Sequence, residues 1–207
     1  VLIGIVAAWL GTVVVGMGLL FAYSVTPGDA AQAPAQWPAD ASLARDPDRH
    51  TLVLVAHPKC SCTRASIAEL SRLMTRLQGR VRGYVLFIKP EELGADWERT
   101  DLWRSASILD DVTVVADPDG VQAGLFGAKT SGQVYLFSPA GELQFEGGIT
   151  PTRSHQGDSV GRQRIVSLVT EGRSDRDSSA VYGCSLDDDA SDDFWFAGLR
   201  SAAGPTR

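Results

Sequence analysis

Residues 51–79 read TLVLVAHPKCSCTRASIAELSRLMTRLQG, and the change of period inside this stretch decides the fold. The first six, TLVLVA at 51–56, make an unbroken apolar run of the length of a buried strand. It stops at His57-Pro58, where the proline removes an N–H and fixes its own φ. Beyond the cysteines, Ile67, Leu70, Leu73, Met74 and Leu77 recur at three- and four-residue spacing, with Arg64, Glu69, Arg72 and Arg76 elsewhere on the wheel, until Gly79 ends the segment. That pattern predicts an amphipathic helix over 63–78 lying on a sheet. Two thiols, Cys60 and Cys62, stand at the junction of the strand with its helix.

Towards the C-terminus the alternation continues. Residues 84–88 form a second buried strand, residues 97–109 a helix with Leu102, Trp103, Ala106 and Leu109 inward, and residues 112–116 a third strand ending at Asp117-Pro118-Asp119-Gly120. Strand, helix, strand, helix, strand implies parallel pairing through crossovers. After a short helix at 123–126 the pattern changes to QVYLFSPAGELQFEGG, residues 133–148, two alternating runs about the turn Ser138-Pro139-Ala140-Gly141. That is an antiparallel hairpin. A last helix over 158–170 turns Val160, Ile165, Leu168 and Val169 inward, and no internal repeat is visible.

Towards the N-terminus, residues 1–23 carry no charge. As a helix they reach about 34 Å at ~1.5 Å per residue, enough to cross a hydrocarbon core of ~30 Å. A cleaved signal peptide is the alternative, but the run exceeds the usual apolar region of ~7 to 15 residues, and AQA at 31–33 is a poor cleavage site. The reading is a single transmembrane anchor. Residues 24–44 hold Asp29 and Asp40 and no Lys or Arg, a flank tolerated on the translocated side, so the soluble part is expected in the periplasm or outside the cell. The chain then divides into an anchor at 1–23, a flexible linker rich in Ala, Pro, Gln and Asp at 24–49, a domain at 50–171, and an acidic tail at 172–207 that contains Cys184.

Composition bounds the function. The chain has 207 residues, 44% of them hydrophobic and 21% charged, which excludes a wholly disordered protein. Its formal charge is -6, and residues 50–171 balance 13 basic against 14 acidic side chains, so no basic footprint for nucleic acid exists. Three cysteines are too few for a disulfide scaffold, and an odd number leaves one thiol over.

The order of three parallel elements, a hairpin and a closing helix, with cysteines after the first strand, resembles thioredoxin-like domains. The segments VLVAHPKCSCTRASIAEL, VTVVADPDG, LFGAKTSG and YLFSPAGELQFEGG look like a membrane-tethered member of the broad TlpA and peroxiredoxin-related group, in particular its RedB-type set. The likeness covers roughly residues 50–171 and implies a three-layer α/β fold with a central mixed sheet. It also implies that Cys60 lies at the first turn of the helix, where unpaired N–H groups and the helix dipole lower a thiol's pKa below the ~8.5 of free cysteine. Lys59 and Arg64 would add to that effect.

Two departures from the family pattern bear on the chemistry. In CSCT only Ser61 separates the thiols and Thr63 takes the usual place of the second cysteine. A bridge between Cys60 and Cys62 closes a very small, strained ring that is easily reduced, which suits an oxidant or isomerase. The competing partner is Cys184, if the tail folds back. The second departure is Ser131-Gly132, which stands where the family has a proline opposite the active cysteine; its absence opens space beside the thiols.

His50 is expected on the surface, His57 at a turn, and His155, with Arg153, in the loop before the last helix that borders the cysteines in this fold. The glycines of that loop lack the lysine and spacing of a phosphate loop. Asp117-Pro118-Asp119-Gly120 lacks the terminal Glu of a calcium loop and reads as a turn. The leading expectation is a thiol-disulfide oxidoreductase acting on protein thiols or disulfides with no cofactor: Cys60 attacks, and Cys62 or Cys184 resolves. The residues lining the site are His57, Lys59, Arg64, Ser131, Gly132, Arg153 and His155. The alternative is a copper(I)-binding metallochaperone that uses Cys60, Cys62 and a third ligand from among His57, His155 and Cys184, with His155 foremost, since soft thiolates favour that ion. Peroxide reduction fits less well, because HPKC keeps only the proline of the PxxxTxxC arrangement.

Overall fold

The computed structural model describes residues 1–172 and 177–186. Of the expected acidic tail, residues 173–176 and 187–207, with the acidic and aromatic stretch DDDASDDFWF, lie outside the described residues. α1 (Leu2–Val25) buries none of its residues and is long and apolar enough to cross a membrane. Then come β1 (His50–Ala56), α2 (Ser61–Arg76), β2 (Val81–Lys89), α3 (Asp101–Ser107), β3 (Val112–Pro118), α4 (Val121–Leu125), β4 (Gln133–Phe137), β5 (Leu143–Gly148), α5 (Val160–Glu171) and a two-residue β6 (Asp177–Ser178).

The strands form one mixed sheet in the order β3-β2-β1-β4-β5-β6. β1 lies inside it, parallel to β2 with Val53 beside Tyr84, and antiparallel to β4 with Val53 beside Tyr135. All its residues after His50 are buried, as the unbroken apolar run requires. Because side chains alternate along a strand, β1 feeds two cores. Leu52 and Leu54 join Ile67, Leu70, Leu73, Phe87, Phe145, Ile165 and Leu168 beneath α2 and α5. Val53 and Val55 join Tyr84, Leu86, Phe126, Tyr135 and Phe137 on the other face.

That second face corrects the linker. Among the described residues the helix on this face is α4, five residues long, too short to cover an aromatic surface of this size. The stretch expected to be a free tether lies over it instead: Ala33 and Leu43 are buried in the second core, and the Trp37 ring meets Phe126 and Phe137 edge-on at 5.2 and 5.1 Å. Backbone bonds pin the strip, with Trp37 N donating to Gly141 O and Leu143 N to Ala35 O. Irregular sequence is therefore not a free chain here, because apolar burial outweighs its conformational entropy.

α3 is shorter than expected. Residues 94–99 are spent on turns, with Asp96 at φ 66°, and Thr100 caps the helix by accepting from Leu102 N. The Asp117 carboxylate, fully buried, accepts from Gln122 N and Ala123 N and so caps α4, which is the work of a turn.

Candidate functional site: three thiols at the carboxyl end of β1

β1 ends at Ala56, and a tight turn delivers the first cysteine: Lys59 N donates to His57 Nδ1 and Cys60 N to His57 O. Cys60 is the N-cap residue of α2, with extended backbone and no capping bond from its side chain. It thus sits one residue before the expected first turn, and Cys62 occupies that turn. Both are buried. Thr63, in the place of the family's second cysteine, is fully buried and bonds Ser131 Oγ at 2.7 Å, while His57 N donates to the hydroxyls of Thr63 and Ser131. The threonine ties the head of α2 to the strand opposite.

The third thiol arrives from the tail. After β6, Ser179 Oγ donates to Gly148 O, Gly28 N donates to Val181 O, and an Arg153 guanidinium N–H donates to Gly183 O. Residues 184–186 then pair with residues 129–131: Ser131 N donates to Cys184 O, Leu186 N donates to Lys129 O, and Ser185 stands antiparallel beside Thr130. This brings Cys184 Sγ to 2.7 Å from Cys60 Sγ, and the sulfurs of Cys60, Cys62 and Cys184 all lie within 4.8 Å of one another. An S–S bond is about 2.05 Å, so the first pair is close to bonding distance.

The charge on this cluster falls on Cys62. Its pKa is pushed down to about 2, chiefly by hydrogen bonds from Cys184 and then Cys60, with further donation from Ser154, against the opposing effect of burial. Ser154 Oγ lies 3.4 Å from Cys62 Sγ and 2.6 Å from Ser61 Oγ. Cys184 moves the other way, because it is the thiol that donates to Cys60 and Cys62 and because it is half-buried. A lowered pKa means that thiolate persists as the pH falls. Iodoacetamide should therefore alkylate the reduced protein with a midpoint well below the ~8.5 of free cysteine, and Cys62→Ser should move that midpoint up. A wild-type midpoint at or above that value would refute the assignment of the charge.

The other expected residues divide. Ser131 and Gly132 are at the site. Gly132 has φ +89°, donates to Val55 O, and a Cβ there would stand 2.7 Å from Ser66 Oγ, so the Ser66 side chain occupies the space on that side that was expected to be open. Arg153 is at the site through the tail; its N donates to Ser24 O and its guanidinium lies 4.7 Å over the Tyr23 ring, which sets the thiols beside the end of α1. His57 shapes the turn, with its ring edge-on to Trp97. Lys59 places its ammonium over Trp97 and Arg64 pairs with Asp101, so neither cation is directed at a thiol by these contacts. His155 is exposed and bonds Arg153 O; among the described residues the third soft ligand beside Cys60 and Cys62 is Cys184, not this histidine. Sequence reasoning missed Ser154 and the pairing of residues 184–186. Ser154 has φ +59°, a conformation that a serine does not advertise.

No protein-family model and no curated protein matches the chain. Among solved structures, an uncharacterized conserved protein from Geobacillus kaustophilus is similar over 78% of this chain and 91% of its own, with TM-score 0.56 and 18% identity. A hypothetical protein from Sinorhizobium meliloti 1021 is similar over 79% and 94%, with TM-score 0.54 and 18% identity. MTB DsbF, solved in mixed oxidized and reduced forms, gives 0.45 over 68% and 98% at 14% identity. The fold rests on the topology: β1 lies between parallel β2 and antiparallel β4, with β3 parallel and β5 antiparallel outside them, and the cysteines stand at the head of α2, the order expected of a thioredoxin-like domain. The fold is thioredoxin-like. Within the thioredoxin-like domain the thiols occupy the carboxyl end of β1, where open α/β sheets place their ligand crevices.

Proposed function

We propose that the chain is a membrane-anchored thiol-disulfide oxidoreductase facing the periplasm or cell exterior, in which Cys60 attacks and Cys184 resolves. The observation that carries this reading is the 2.7 Å approach of Cys60 Sγ to Cys184 Sγ beside a third thiol of lowered pKa. Cys62 thiolate, its sulfur within 4.8 Å of Cys60 Sγ, serves as the base that takes the Cys60 proton as the attack begins. Cys60 thiolate attacks one sulfur of a client disulfide; the client S–S bond breaks, its other sulfur leaves as thiolate, and a mixed disulfide forms. Cys184 then passes its proton to the released client thiolate, attacks the Cys60 sulfur and expels the second client sulfur as thiolate. Two electrons have passed to the client, and Cys60 and Cys184 are bridged until an external dithiol reduces them. Run backwards, the same steps oxidise a client dithiol. The location is supported by the 24–44 flank without Lys or Arg, and the anchor by the bond from Arg153 N to Ser24 O, which joins the end of α1 to the domain.

A second reading is favoured by the same sulfurs. Three thiolates within 4.8 Å suit copper(I), which accepts two or three soft ligands, and would make the chain a copper carrier. Redox titration of the full chain in detergent, with mass-spectrometric mapping of the bridges and metal analysis, separates the two. A reversible Cys60–Cys184 bridge in metal-free protein is the expected result. Thiols that never bridge but retain stoichiometric copper against a chelator would transfer the assignment to the carrier.

A further inference from the structure

The tail does more than deliver a thiol. Residues 184–186 lie on residues 129–131 as an added strand, held by the two backbone bonds from Ser131 N to Cys184 O and from Leu186 N to Lys129 O. Backbone pairing of this kind is blind to side chains, so any discrimination has to come from the space around particular positions. One position is tightly bounded. A Cβ on Gly183, the residue before the cysteine, would stand 1.8 Å from Ser131 O and 2.9 Å from Thr130 Cγ2. The nearer obstacle is the backbone carbonyl of Ser131, a buried residue two before the start of β4, so no flexible side-chain end can move aside. Gly183 is itself buried, and its carbonyl is held by the Arg153 guanidinium.

We infer that residues 129–131 form a docking strip for an extended peptide in which glycine directly precedes the reacting cysteine, and that residues 183–186 are the chain's own occupant of that strip. The inference rests on the oxidoreductase reading and names its substrate class. A client pairs along the strip in place of the tail, and Arg153 holds the carbonyl before its cysteine. Cys60 thiolate attacks that cysteine's sulfur, and the partner sulfur of the client disulfide leaves as thiolate. As the client strand leaves, the tail returns, Cys184 passes its proton to the client thiolate released in the first step and attacks the Cys60 sulfur, expelling the client cysteine as thiolate.

The test uses full-length Cys184→Ser protein in detergent, in which the mixed disulfide cannot be resolved by the tail. Two peptides are compared, Tyr-Gly-Cys-Ser-Leu and Tyr-Ala-Cys-Ser-Leu, each carrying thionitrobenzoate on its cysteine, with the free aromatic disulfide reagent as a control for thiol chemistry. The glycine peptide should release thionitrobenzoate about tenfold faster or more, since one extra carbon in a packed place discriminates on that scale. In the otherwise wild-type chain, Gly183→Ala should slow closure of the Cys60–Cys184 bridge by a comparable factor. Equal rates for the two peptides, with the control reagent reacting normally, would overturn the docking strip. Failure of Cys60 to react with peptides and control alike would overturn the oxidoreductase reading beneath it.

Discussion

Cys60→Ser protein should lose disulfide exchange by about a thousandfold or more, as expected when a nucleophile is removed from a group that acts as a unit, while its thermal midpoint stays the same or rises. The second half of this outcome follows from the backbone. Cys60 is the N-cap of α2 and makes no capping bond with its side chain. Serine is among the preferred N-cap residues, and its hydroxyl can accept from an unpaired N–H of the first turn. Lost activity is therefore not a consequence of lost fold. Cys184→Ser should behave differently: the first attack survives, and a mixed disulfide with Cys60 accumulates that mass spectrometry detects. Retained multiple-turnover exchange in the Cys60→Ser protein would remove Cys60 from the mechanism.

Glu69→Ala should cost about 3–5 kcal/mol, the range for breaking a buried ion pair by deleting one partner. Glu69 has no exposed surface, accepts from Gly157 N at 2.8 Å and from Arg162 at 2.7 Å, and pairs with Arg72. It joins α2 to α5 and to the loop that carries Arg153 and Ser154. Without it Arg162, whose side chain is 18% exposed, keeps, among the described residues, the exposed Asp158 as its ionic partner. For a chain of this size the melting temperature should fall by roughly 10 °C or more. Because Ser154 then loses its support beside Cys62, the alkylation midpoint of the reduced protein should rise as well. A melting temperature unchanged to within about 2 °C would show that the pair contributes no net stability.

Much of this molecule was legible from local pattern. The run at 51–56, the helical period after it, and the alternation about Ser138-Pro139-Ala140-Gly141 are each set within a few residues, and each became the expected element as β1, α2 and the β4–β5 hairpin. The same local reading placed two cysteines after a strand and an uncharged segment long enough for a membrane. It misjudged the linker at 24–49, whose Pro- and Ala-rich composition resembles a tether, because the aromatic face it covers is assembled from strands distant in sequence.

The site followed the same division. Cys60 and Cys62 are neighbours in the chain, so their pairing was visible in CSCT. Cys184 is 124 residues from Cys60, and no spacing rule ties the two together. What decided that contact is a series of close backbone approaches through glycines, at Gly28 against Val181, Gly148 against Ala180 and Gly183 against Ser131, with Arg153 fastening the last. Local periodicity is written into a sequence because it depends on which side chains face one core. The meeting of three thiols depends on which backbones can touch, and only the folded chain determines that.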